Sequence, residues 1–372
     1  FRDRARDMRL RRARTLVVEF AGPSVVIRNF MGQKVAPADG FVLEVLSRAD
    51  DWQTPEALCA LYPHVPAETM DACLRDLAEL GWLVTEHSEA AALDAEYETG
   101  WAWEATAGLY HFGIQDPPWL DPVQSTQWMQ QISATQPTLP LLTTNEGLEH
   151  VEEMQRPDMD QGLFATLKRR RSIRSFEPGS VSKDALRDCL FAGLGVTGFL
   201  NTQIPGEDPW LPLTMTPSGG ARNPFEGFVY ARSVDGLEPG IYHYSALDNS
   251  LGFVSEDLAI STTELFAQQD WTEGAGFAIL LVANFDRTMW KYPHPNAYRV
   301  VLMEAGHIGQ NILLAAADHG LAAAPTGAVT DSAARTLLNL NRVRQSLVYA
   351  VFVGHAAPDA FETKNFMAHP QS

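Results

Sequence analysis

Three short segments hold the residues with the most chemistry to offer. Arg170-Arg171-Ser172-Ile173-Arg174 puts three guanidiniums and a hydroxyl within five residues, at the end of a predicted helix over Phe164–Arg171. Bidentate guanidiniums suit a phosphate or the carbonyl oxygens of a ring. A solvated basic turn is the other reading of the same residues. Pro217-Ser218-Gly219-Gly220-Ala221-Arg222 is a tight turn of small residues. Such a turn lets backbone approach a flat ligand, although an ordinary loop has the same composition. The third segment is Lys291-Tyr292, upstream of Glu304-Ala305-Gly306-His307.

Two other patterns imitate functional motifs. Gly193, Gly195 and Gly198 spell G-x-G-x-x-G, but a dinucleotide fingerprint follows a strand and has an acidic residue about 20 positions on. Here an amphipathic helix precedes it and Ser218 stands at that position, so the glycines read as a helix exit. Glu304-x-x-His307 has the spacing of a di-iron ligand pair, which needs a second copy and further carboxylates. The chain has no second copy, so the pair reads as a satisfied polar pair inside a buried helix, and no metal is expected. No G-x-S-x-G supports a serine hydrolase.

The chain that must position these segments has 372 residues, 45% hydrophobic and 20% charged, a globular composition with room for two or three domains. The net charge is −18; seven arginines against two aspartates in the first fourteen residues leave −23 for the rest. So acidic a body repels phosphate backbones, and no basic surface is visible beyond the N-terminus. The basic stretch itself reads as a solvated tail. Cys59, Cys73 and Cys189 lie far apart with no C-x-x-C, which excludes a disulfide scaffold. The longest apolar run, Phe277–Phe285, is about half a membrane span. A cytoplasmic protein that touches neither membrane nor nucleic acid is expected.

Residues 15–86 read as one small module. Thr15–Ala21 and Ser24–Phe30 form a hairpin about Gly22-Pro23. Helices follow over Ala38–Arg48, after Thr54-Pro55, and over Pro66–Leu80, and Trp82-Leu83-Val84 returns as a strand. This is a winged-helix layout, but its third helix bears Glu68, Asp71, Asp76 and Glu79 against Arg75, the wrong balance for a DNA-reading helix. The pattern of apolar positions resembles the PqqD-like modules of ribosomal-peptide maturation enzymes. That resemblance implies binding of a precursor's leader as an added strand beside the hairpin and against the third helix.

Residues 87–162 read as an irregular, proline- and aromatic-rich connection or lid, with Trp101, Trp103, Tyr110, His111, Trp119 and Trp128 packed over the catalytic domain or a partner subunit. Residues 163–372 mix helices (Lys183–Ala192, Ala297–His319) with a meander over Gly227–Val234, Ile241–Ala246 and Leu251–Val254. Phe277–Phe285 and Ser346–Gly354 suit central strands. The fold class is α+β, a mostly antiparallel sheet sandwiched by helices.

The three segments, in this order, resemble the FMN-dependent nitroreductase superfamily. The resemblance implies that Arg171, Ser172 and Arg174, with Arg170 in addition, hold the flavin phosphate and ribityl chain. It implies that Pro217, Ser218 and Gly219 lie against the isoalloxazine, that Thr326 and Gly327 of Pro325-Thr326-Gly327-Ala328 approach flavin N5, and that Lys364 completes the phosphate site. A narrower resemblance, to SagB-type azoline dehydrogenases, rests on Tyr110-His111, Pro217–Arg222, Lys291-Tyr292, Ala297-Tyr298-Arg299, Glu304–His307 and Gln310-Asn311. It implies oxidation of thiazolines or oxazolines in a ribosomally made peptide, with Lys291 and Tyr292 as the catalytic pair, O2 as reoxidant and a homodimer as the assembly. An amine acts as a base once desolvation or a nearby cation lowers its proton affinity; Trp290 and Arg287 are close in sequence. A surface turn before Pro293 is the other reading of the pair, and His294 and His307 are the other candidate bases. Dehydrogenation of another peptide group, an NAD(P)H-dependent nitro or quinone reductase, and a non-catalytic docking partner remain as alternatives.

Overall fold

The computed structural model describes residues 8–136, 158–201, 210–358 and 360. Two compact units divide the chain. The first is Phe1–Gln115 with Asn284–Val301 and Asn341–Gln345; the second is Asp116–Ala283 with Leu302–Leu340 and Ser346–Ser372.

The chain opens with β1 (Leu10–Arg12), β2 (Leu16–Ala21), β3 (Ser24–Asn29) and β4 (Lys34–Ala38), then α1 (Gly40–Arg48), α2 (Pro55–Ala60), α3 (Ala67–Glu79) and β5 (Leu83–Thr85). Strands β2, β3 and β4 form an antiparallel sheet. The β2–β3 loop is Gly22-Pro23, and φ of 61° at Gly22 suits the first position of a two-residue hairpin turn. Asp39 caps α1, and Thr54 caps α2 with Pro55 at its first position. Met70, Leu74 and Leu77, on one face of α3, pack with Ile27, Val45, Leu58 and Trp82.

The basic N-terminus is not a free tail over residues 8–14. Strand β1 pairs antiparallel with β5, and four of its neighbouring arginines meet carboxylates: Arg9 with Glu86, Arg11 with Asp94, Arg12 and Arg14 with Asp50. The Arg11–Asp94 pair is 2.8 Å apart and both side chains are nearly inaccessible. Burying a charge requires a partner, and Asp94 also accepts from the Arg14 N–H at 2.7 Å.

The stretch expected to be irregular carries three helices: α4 (Glu89–Gly100), α5 (Ala105–Gly113) and α6 (Pro122–Thr135). Tyr97, Trp101, Trp103 and Phe112 are buried, and Trp101 and Trp103 pack against Phe285 and Tyr298, residues of the 163–372 segment. Trp101 stacks on His111, with ring centroids 5.4 Å apart. Trp119 and Trp128 are exposed. Residues 137–157 of that stretch lie outside the described residues.

The chain continues through α7 (Gly162–Arg169), β6 (Phe176–Glu177), α8 (Lys183–Leu194), β7 (Val196–Asn201), β8 (Trp210–Thr214), β9 (Phe225–Ala231), β10 (Gly240–Ser245), β11 (Ser250–Ser255), α9 (Thr262–Leu265), β12 (Phe277–Asn284), α10 (Phe285–Met289), α11 (Asn296–Asp318), β13 (Ala322–Thr326), α12 (Asp331–Leu338) and β14 (Gln345–Ala356). The main sheet runs β11-β10-β9-β12-β14-β13, with β6 pairing β14. Phe277 to Ala283 are all buried, which explains a continuous apolar run where a half-exposed strand would alternate. The G-x-G-x-x-G glycines fall where α8 passes into β7. A Cβ on Gly193 would come within 2.9 Å of Ile312 Cγ1, so that glycine serves close packing of α8 on α11. Helix α11 is long and apolar enough by length and composition to cross a membrane. Its Val301, Ala305, Ile308, Ile312 and Ala316 are buried at helical spacing, as in a core helix.

In the second unit, Asp116 caps α12: the Ser332 N–H donates to its carboxylate at 3.0 Å. Burial first, and the Asp116 charge second, push the Asp331 carboxyl up to about 6. The folded state therefore holds that proton more tightly than the unfolded chain. Its stabilising contribution is complete below about pH 4 and is lost as pH rises through about 6. Asp331→Asn should accordingly gain stability relative to the parent protein as pH rises from about 4 to 7. Urea unfolding across that range checks this; a constant difference would contradict it.

Candidate functional site

The predicted anion-binding segment begins where α7 ends. Arg170 is the C-cap residue of α7, and the Ile173 N–H donates to the Ala323 carbonyl of β13 at 3.0 Å. Ile173 is buried while Arg171, Ser172 and Arg174 are exposed, so the apolar side chain anchors a segment whose neighbours face solvent. A cavity of about 470 Å³ is lined by Arg169, Arg170, Arg171, Ile173 and, from α11, Leu313 and Asp318. Arg169 approaches Asp318 at 3.5 Å. Among the described residues no carboxylate pairs with Arg170, Arg171 or Arg174. Arg28, Arg187, Arg232 and Arg344 each have one. Arg171 instead donates to the Lys168 and Arg170 carbonyls, at 2.6 and 2.7 Å.

A relay joins Arg174 to the β13 end. The Arg174 guanidinium lies 5.5 Å from the centre of the Trp271 ring. The indole N–H donates to Gln269 Oε1 at 3.0 Å, and Gln269 Nε2 donates to Thr326 Oγ1 at 3.2 Å. Thr326 Oγ1 also accepts from the Ala328 N–H at 3.1 Å, folding the chain about Gly327. Two segments about 150 residues apart in sequence are thus linked through Gln269 and Trp271, whose spacing carried no signal.

The Pro217–Arg222 turn is held by an acid. Ser218 Oγ donates to Glu304 Oε2 at 2.9 Å, and the Gly219 N–H donates to Oε1 at 2.7 Å. The Asn223 N–H closes the turn on Ser218 Oγ at 2.9 Å. Gly220, Ala221 and Asn223 all have positive φ, 62°, 54° and 44°. Burial raises the Glu304 carboxyl above the usual range; the two hydrogen bonds and the charge of His307 oppose this without cancelling it. The expectation of a Glu304–His307 pair therefore needs correcting. Glu304 is buried, but its hydrogen bonds go to the turn, and His307 is exposed. Asn311 donates to Thr216 Oγ1 at 3.1 Å, just ahead of the turn. Sequence reasoning missed the role of Glu304 because the i, i+3 spacing drew attention to His307.

Lys291 and Tyr292 follow α10 in the first unit, whereas the arginines, the turn and Thr326-Gly327 belong to the second. Both backbone N–H groups fold back onto the Thr288 carbonyl, at 3.2 and 2.9 Å. The buried Trp103 indole donates to the Tyr292 carbonyl at 2.8 Å. Lys291 Nζ is 5.9 Å from the Tyr292 ring centre, and the Tyr292 side chain is partly open to solvent. His111 Nδ1 meets Tyr298 Oη at 2.9 Å, so Tyr110-His111 and Ala297-Tyr298-Arg299 are joined in the same unit. His294 and His307 are both exposed. Lys364 lies outside the described residues.

A model of the nitroreductase family matches residues 167–355, half of the chain. The trifolitoxin-processing protein TfxB of Rhizobium leguminosarum bv. trifolii is 32% identical over 48% of this chain and 48% of its own. MJ1384 of Methanocaldococcus jannaschii, named as a nitroreductase, is 31% identical over 50% of this chain and 90% of its own. The microcin B17-processing protein McbC of Escherichia coli is 29% identical over 41% of this chain and 58% of its own. The match to the two peptide-processing proteins thus spans about half of each.

Ser218→Ala would leave one Glu304 oxygen without its donor and the Asn223 N–H without its acceptor. Each loss leaves a desolvated polar group unmatched, so the variant should lose about 1–3 kcal/mol in urea unfolding. An unchanged midpoint would show that the turn is not held by this hydroxyl.

Proposed function

This chain belongs to the nitroreductase family, and we propose that it is an FMN-dependent dehydrogenase that oxidises a ribosomally made precursor peptide, azoline to azole. The observation that carries the cofactor assignment is the basic cavity. In a chain of net charge −18, Arg170 and Arg171 line a space of about 470 Å³, and with Arg174 they lack carboxylate partners among the described residues. That donor set fits a phosphate. The small-residue turn and Thr326-Gly327 offer close backbone approach to a flat ring.

FMN, when bound, supplies a two-electron acceptor for hydride. The protein's own residues divide the remaining work. Arg170, Arg171, Ser172 and Arg174, with Lys364, hold the phosphate end. Pro217, Ser218, Gly219, Thr326 and Gly327 shape the ring end. Lys291 takes the carbon-bound proton as general base, and Tyr292 holds the substrate ring; Trp103 fixes the backbone of that pair.

The names of two relatives, a trifolitoxin-processing and a microcin B17-processing protein, support a peptide substrate. So do the outer edges of β2 and β4, which pair with no further strand among the described residues and can accept a leader peptide as an added strand. Residues 15–86 hold the leader and raise the effective concentration of the core at the site. The enzyme works as a cytoplasmic homodimer beside other maturation enzymes, with O2 as reoxidant; three cysteines without disulfides suit that compartment. The match along 90% of MJ1384 favours a second reading, an NAD(P)H-fed reductase of nitro compounds or quinones.

The purified protein should be yellow and release FMN on heating; a colourless protein that cannot be reconstituted would refute the cofactor assignment. Arg171→Ala with Arg174→Ala should weaken FMN binding at least about tenfold, the loss of charge-assisted bonds to phosphate. Lys291→Ala should retain FMN and lose about a hundredfold or more in peptide oxidation. Wild-type peptide oxidation by that variant, or NADPH consumption without any peptide oxidation, would favour the reductase.

A further inference from the structure

Glu304 is a buried acid that the proposed chemistry does not use. It projects from α11 toward the Pro217–Arg222 turn, and it does not act alone. Seven residues along the same helix, roughly 10 Å or two turns, Asn311 Nδ2 donates to Thr216 Oγ1 at 3.1 Å and to the Ala192 carbonyl at 3.1 Å. Helix α11 therefore grips the chain just before the turn with an amide and within the turn with a carboxylate.

The turn needs such a grip. Ala221 sits at φ of 54°, a region disfavoured for a residue with a Cβ, while Asn223 at 44° is a residue that tolerates it. A carboxylate offers two acceptors and no donor, which matches the two donors converging here, the Ser218 hydroxyl and the Gly219 N–H. Both donors are thereby turned onto Glu304 and are not free for a ligand.

We propose that Glu304 is the positioning residue of the cofactor site: it fixes the turn so that Ser218 and Gly219 meet the flavin through backbone shape, not through their own hydrogen bonds. The inference rests on the FMN reading above. It also separates two roles for the acid, reach and charge, that conservative variants can tell apart. Glu304→Asp keeps the charge but falls short of both donors. Glu304→Gln keeps the reach, accepts from the Gly219 N–H and donates to Ser218 Oγ.

The test is FMN affinity of the full-length apoproteins, from quenching of FMN fluorescence, together with the visible absorption band of the bound flavin. Glu304→Asp should bind FMN roughly ten- to a hundredfold more weakly, with an altered band. Glu304→Gln should bind within about threefold of the parent protein, a rescue by shape. Asn311→Ala reads the other end of the grip and should weaken binding at least about fivefold even if the Asp variant fails to fold. The reverse order of the Asp and Gln variants would assign the effect to charge and overturn the proposal. Parent-like affinity and spectrum in the Asp or the Asn311→Ala variant would overturn it while leaving the FMN reading intact. A parent protein that binds no FMN would overturn both.

Discussion

Positive charge is the scarce quantity in this chain. With 28 basic side chains against 46 acidic ones, an arginine in contact with solvent has many carboxylates to choose from, and Arg9, Arg28, Arg187, Arg232 and Arg344 are among those that pair with one. Around β1 the pairing is dense enough to draw Arg11 into a nearly inaccessible ion pair with Asp94. Against that background, Arg170, Arg171 and Arg174 stand within five positions of one another and pair with no carboxylate among the described residues. The surrounding architecture secures them: pairing of Ile173 with β13 holds the segment in place, and the Trp271 ring gives Arg174 a platform that does not neutralise it.

Helix α11 is the member to which most of the second unit refers. Its apolar face carries Ile308 and Ile312 against Gly193 of α8. Its polar side chains reach the turn, and its C-terminal residues Leu313 and Asp318 line the basic cavity. From Glu304 to Asp318 is fourteen residues, roughly 20 Å of helix. One helix thus both holds the small-residue turn and lines the arginine cavity.

Much of this was legible in the sequence where type and period carry information. The β9–β10–β11 meander announced itself by three successive β-forming runs, β12 by an apolar run, and α2 by Thr54-Pro55. The arginine segment and the turn stood out by composition alone. What stayed hidden were the contacts made at long sequence distance. Nothing local tells Glu304 from a surface acid, or says that Trp271 will lie beneath Arg174. The N-terminal arginines looked like a tail because the partners that order them, Asp50, Glu86 and Asp94, are spread over 45 positions. Residues 89–113 looked irregular because helix α4 has almost no amphipathic pattern: ring-to-ring packing replaces a polar–apolar stripe.

Strand β12 has a consequence for how the chain is made. Its seven consecutive buried residues lie between β9, already synthesised, and β14, whose first residue follows some sixty positions later. While the intervening α11, β13 and α12 are being translated, one edge of an uncharged, strongly β-forming strand has no neighbour. Such an edge is a template for pairing with other nascent chains. The emerging polypeptide is therefore most exposed to aggregation in that interval, and chaperone demand should peak there and not at the charged N-terminal module, which completes its own core early.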